Sequence, residues 1–289
     1  MSGSSSRLAR FGRFLLIALI VLALLAGALA IKLRMDGFLR EPAYETVAPV
    51  LPADLKQPAI LVFSKTNGFI HKEAIPAAQA LFQKLGEANG WSVYLTDNAA
   101  VHNPQDLQRF AAVVWNNVSG DVLTPEQRTA LEQYLQNGGG FVGIHGSGGD
   151  PEYAWSWYPQ SLLRAQFTAH PMFPQFQEAT LHVESPQDGI VSHLPPAFSM
   201  TDEWYSFRAP PKDVQVLLSL DETSYSPRVL FVDIGMGKDH PIAWKHCQGK
   251  GRVFYGAPGH VASTYADPRY VRVLEQATLW AMQPDPACQ

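Results

Sequence analysis

The chain has 289 residues, 46% hydrophobic, 17% charged and 11% aromatic, a balance that excludes a disordered or fibrous protein. Its first 56 residues carry 7 Lys and Arg against 4 Asp and Glu, leaving 15 basic and 22 acidic residues beyond them, a sign that disfavours a nucleic-acid partner. Two cysteines, Cys247 and the penultimate Cys288, are too few for a disulfide framework, so the sequence predicts a fold held by its core, with Cys288 in a frayed tail.

In chain order, residues 1–13 read as a short cytoplasmic N-terminus, because Arg7, Arg10 and Arg13 stand there without an acidic partner. Phe14 to Ile31 is free of charge and as a helix would reach about 27 Å, close to the thickness of a bilayer core. It is expected to be a transmembrane anchor, with the domain in the periplasm or outside the cell. Ala28-Leu29-Ala30 makes a cleaved signal peptide the competing reading, although the apolar run is longer than usual for one. Residues 32–56, with Pro42, Pro49 and Pro52, read as a linker.

From Gln57 onward, short apolar runs alternate with amphipathic stretches, the pattern of β-α-β units. Strands are expected at 59–63, 91–96, 111–115 and 141–144. Between them fall a helix over Ile75, Ala78, Phe82 and Leu85 that stops at Asn89-Gly90, a short helix at 104–110, and one opened by Thr124-Pro125-Glu126-Gln127. Strands joined this way lie parallel with helices on both faces. The second half is richer in strands: 179–184, 214–220, 229–233, and a hairpin from 242–246 to 252–255, closed by a helix at 268–282 and followed by a tail at 283–289.

Ligands of such sheets bind at the carboxyl ends of the strands. Those ends deliver Ser64 to His71, Asn116-Asn117, and His145-Gly146-Ser147. His145 occupies the sharp strand-to-turn position where a hydrolase carries its nucleophile, and an imidazole there acts as base, acid or metal ligand. His71 is expected at a helix N-terminus, which favours its neutral form. Thr201-Asp202-Glu203-Trp204-Tyr205 sets carboxylates beside aromatics, a composition suited to a sugar, and Gly259-His260 adds another imidazole. His71, His145 and His260 are candidate ligands of a divalent metal such as zinc, with Glu203 as a possible oxygen donor. Asn116, Asn117, Ser147, Trp204 and Tyr205 are candidates for substrate binding. No dinucleotide, Walker A, C-x-x-C or H-E-x-x-H pattern occurs.

The loop ending in Phe69-Ile70-His71, the Gly143-Ile144-His145-Gly146 turn, Asp202 to Tyr205, His240-Pro241-Ile242-Ala243-Trp244, and Gly249 to Tyr255 running into Gly259-His260 together resemble the ThuA-like (trehalose-utilisation) family over residues 57–282. The resemblance implies an α/β fold of the flavodoxin-like, class I glutamine amidotransferase-like type, mostly parallel, with extra strands in the C-terminal half. It also implies carbohydrate metabolism, with cleavage or rearrangement of oxidised (3-keto) glycosides. Histidine stands at position 145, where amidotransferases carry cysteine, which argues against thiol-dependent glutamine hydrolysis. The expected catalytic groups are His145 or His71 as base and Glu203 or His260 as acid. A non-enzymatic sugar-binding envelope module and a metal-dependent hydrolase of another substrate are the alternatives.

Overall fold

The computed structural model describes residues 3–37, 40–283 and 288, which fall into two compact units divided between Glu41 and Pro42. The first unit is one helix, α1 (Gly3–Met35). Within its segment Arg10–Met35 an 18-residue window has a mean hydropathy of 3.1 and no buried residue, so the segment is long and apolar enough to cross a membrane, as a signal sequence also is. The helix overruns the predicted span at both ends. Of the predicted tail, only Gln283 and Cys288 lie among the described residues.

The second unit begins at Pro42, so residues 42–56, expected as linker, run along the domain instead. The cause is Lys65 at the end of the first strand: its ammonium group is buried and takes Glu45 Oε1 as partner at 2.6 Å. Glu45 Oε2 also accepts from the Ala99 amide at 3.0 Å, and the Asn67 side chain brackets Ala43 with bonds of 3.1 and 3.0 Å.

The strands in chain order are β1 (Ala59–Phe63), β2 (Ser92–Thr96), β3 (Ala112–Asn116), β4 (Gly140–Ile144), β5 (Phe167–Ala169), β6 (Phe176–Val183), β7 (Ala197–Glu203), β8 (Ser206–Phe207), β9 (Gln215–Asp221), β10 (Arg228–Val229), β11 (Val232–Asp233), β12 (Pro241–Gln248) and β13 (Gly251–Gly256). Nine form one sheet in the order β2-β1-β3-β4-β13-β12-β9-β6-β7. The first five are parallel and the last four join antiparallel. The helices are α2 (Ala74–Asn89), α3 (Pro104–Leu107), α4 (Pro125–Gln136) and α5 (Pro268–Met282). Both α2 and α5 pack on the turn at 262–266, whereas α3 packs on α4, which leaves helices on both faces of the sheet.

Local chemistry explains the elements that were predicted. β1, β3 and β4 are buried at every residue, so their apolar runs are continuous. Thr124 and Gln127 form a reciprocal capping box on α4 with Pro125 in its first turn, and Gly90 ends α2 in the left-handed conformation at φ 74°. The predicted strand 229–233 is instead the small hairpin β10–β11, and Ala197 to Glu203, for which no strand was predicted, is the edge strand β7, whose exposed and buried residues largely alternate. Cys288 is not frayed: it is buried and bonded to Cys247, with a Cα–Cα distance of 5.5 Å.

Candidate active site

The parallel strands all end at one edge, with the topological switch between β1 and β3, where a connection leaves the sheet to either side. His71 follows β1, His145 follows β4, His260 follows β13, and Glu203 ends β7. The structure brings these four together, with their ligating atoms all within 4.8 Å of one another and all but His260 buried. The ring centres of His71, His145 and His260 lie 4.7 to 5.2 Å apart, edge to face.

His145 takes a left-handed backbone at φ 42°, which turns its ring out of the strand into this edge. Its Nδ1 lies 2.6 Å from the Ala257 carbonyl oxygen, so that nitrogen carries the proton and donates, leaving the lone pair on Nε2. The Tyr205 hydroxyl donates to this Nε2 at 2.9 Å, and the Tyr205 ring stacks on the imidazole at 4.3 Å. Gly146 is required beside it, because a Cβ there would stand 2.7 Å from His71 Cε1. His71 does not open a helix: α2 starts three residues later. Burial first, then the neighbouring imidazoles, hold its pKa well below the usual value, and its Nδ1 has no hydrogen-bond partner.

Glu203 joins the cluster. Its Oε2 lies 3.1 Å from His260 Nδ1 and 3.4 Å from His145 Nε2; its Oε1 takes His170 Nδ1 at 3.1 Å and the Gln175 amide at 2.5 Å. Burial alone would raise this carboxyl, but the imidazoles of His145, His260 and His170 around it hold it well below the ordinary carboxylate range. The ionised form of Glu203 is therefore favoured. Asp202 sets the position of His260, accepting from the amides of Gly259 at 2.7 Å and His260 at 2.9 Å and from the Thr264 hydroxyl.

The other predicted residues are placed differently. Asn116 donates to Ser64 Oγ and the Ile75 carbonyl and accepts from Asn117, whose amide also reaches Tyr265 and the Gly146 amide; both asparagines brace the strand ends and are wholly buried. Trp204 is a core residue, fully enclosed, with its indole N–H on the Gln177 carbonyl, so it offers no face to a sugar. Ser147 lines a separate small pocket with Asp150, Trp115, Tyr153 and Trp155; burial raises the Asp150 carboxyl there to about 6.

Sequence reasoning missed His170 and Gln175, which come from an irregular loop, and the aromatic rim of Phe69 and Phe176, which packs on His260 at 6.0 and 4.9 Å. It also missed what His240 does. One ring nitrogen faces Glu222 Oε1 at 2.6 Å and the other the Tyr205 carbonyl at 2.8 Å, so His240 pins the backbone of the tyrosine that touches His145.

Residues 59–281 match the family model described as trehalose utilisation. A Bacteroides uniformis ATCC 8492 protein described as ThuA-like is similar in structure, with 26% identity, a TM-score of 0.70, and coverage of 83% of this chain and 98% of that one. A protein of the same description from Parabacteroides merdae ATCC 43184 has 16% identity, a TM-score of 0.60, and coverage of 79% and 91%, and so shows the fold alone. None of the curated proteins matches the chain.

Proposed function

Because the chain belongs to the ThuA, or trehalose-utilisation, family, we propose that it acts on carbohydrate, cleaving or rearranging an oxidised (3-keto) glycoside by acid–base chemistry at His71, His145, Glu203 and His260. The observation that carries this reading is the convergence of three imidazoles and one carboxyl group at the carboxyl edge of the sheet. A ketone at C3 acidifies the proton on C2. His145, with its Nε2 lone pair turned into the cluster, accepts that proton, and the electron pair expels the glycosidic oxygen from C1. His260 protonates the departing oxygen. Glu203 was expected to share that acid role, but an ionised carboxylate has no proton to give; it stabilises the imidazolium that forms on His145 instead. If His145→Ala cleaves a 3-keto-disaccharide as fast as the unchanged protein, this assignment is wrong.

A specific observation favours a second reading, in which His145 Nε2 serves as a metal ligand and not as the base. His71 Nδ1 is buried without a partner, and His145 donates its other ring N–H to a backbone carbonyl, the usual support of a metal-ligating imidazole. His71, His145, His260 and Glu203 form a donor set suited to a divalent ion such as zinc, which would polarise a carbonyl oxygen. Elemental analysis of the purified protein tests it, with a stoichiometric metal as the expected result.

The domain is proposed to lie outside the cytoplasm on the retained anchor α1, with the arginines ahead of the apolar span inside. The Cys247–Cys288 disulfide supports this placement, since such bonds persist in oxidising compartments.

A further inference from the structure

Two neighbouring segments carry apolar side chains outward beside the site. The Met172 amide donates to the Arg228 carbonyl at 3.1 Å, and Met172 and Val229 form a parallel bridge. The next residues of both segments, Phe173 and Leu230, therefore leave it in the same direction. Phe173 is 78% exposed, Leu230 65%, Phe231 95% and Val232 63%. Phe173 and Leu230 also hold left-handed backbones, at φ 62° and 54°, where an ordinary surface turn would take Gly or Asn. Bulky apolar residues held in strained turns and left in water mark an interaction surface.

We propose that this apolar ridge docks on a lipid bilayer, inserting Phe173, Leu230, Phe231 and Val232 into its interface; the inference rests on the reading of α1 as a retained anchor. The chain argues for lipid over a protein partner. Only residues 36–41 separate the apolar helix from the domain, at most about 20 Å of extended chain. The domain's first residues are tied to the loops leaving β1 and β3, through Asn67, Lys65 and Asp121. The ridge rises from the same edge, since His170 and Gln175 reach Glu203 and Phe176 packs on His260. The start of the domain, at residues 43–45, and the ridge thus lie at the same edge of the sheet. Arg228 and Asp233, the charged residues of the small hairpin, stand opposite each other in its register and are of opposite sign, so insertion depends on apolar burial, and zwitterionic and anionic lipids serve alike.

The test uses the full chain in lipid nanodiscs at one chain per disc, with bromine on the acyl chains. Phe231→Trp reports from the ridge, and Asn137→Trp from the opposite edge, where the chain enters β4; the emission added to the unchanged protein is compared with that in unbrominated discs. Acyl bromine is expected to reduce the added emission at position 231 about twofold or more and to leave that at position 137 unchanged, in both lipid types. Co-elution of chain and disc reports the anchor separately. The proposal is overturned if co-eluting chains show no quenching at position 231, equal quenching at both positions, or quenching at 231 only when a disc holds two chains, which would make a second copy the occupant.

Discussion

At Glu203 a single carboxylate meets three imidazoles and one amide, and its charge is what the cluster requires most. Glu203→Gln keeps the shape and removes the charge, so zinc affinity measured by calorimetry is expected to fall at least about tenfold. His102, outside the site, allows a pH prediction. It is wholly buried between the Ala99 carbonyl and the Trp115 indole, and burial lowers its pKa to about 4. The unfolded chain binds this proton near pH 6.5 and the folded protein only near 4, so stability is full above that upper value and declines as pH falls through the window, by about 3 kcal/mol. His102→Gln can make both hydrogen bonds without titrating, and denaturant unfolding from pH 7 to 4 should show a correspondingly flatter decline. The four clustered side chains were legible as polar groups on strand ends. Trp204 and the two asparagines were misjudged because composition does not say which way a side chain points, and His170 because its loop has no periodicity.

Among the elements, the parallel strands were legible because burial on both faces writes an unbroken apolar run, and α4 because its cap is a local code. Thr124→Ala removes one half of that capping box and should cost about 1 kcal/mol by denaturant unfolding. β7 was not predicted at all: Ala-Phe-Ser-Met-Thr-Asp-Glu alternates in burial over most of its length but finishes in polar residues that only the loop after β13 explains, through Asp202. The disulfide was missed because Cys288 stands next to the chain end and nothing nearby announces its burial. Cys247→Ser releases that end, and a loss of roughly 2–4 kcal/mol is expected, measured against the unchanged protein without reductant.

For the whole molecule, the anchor reading predicts that the chain stays in the membrane pellet after alkaline carbonate washing and that its intact mass includes the first helix; a soluble product starting near residue 31 would mark a signal peptide instead. The α/β architecture was legible from the alternation of patterns, whereas the antiparallel extension's order, β12-β9-β6-β7, was not, since short alternating strands do not name their neighbours. His71 and His260 stand 189 positions apart, and β13, which brings in the second of them, is the last strand of the sheet. No nascent form of the polypeptide that lacks β13 and the loop after it can therefore hold the assembled cluster. Folding therefore proceeds with these imidazoles kept apart until the final strand of the sheet has been made.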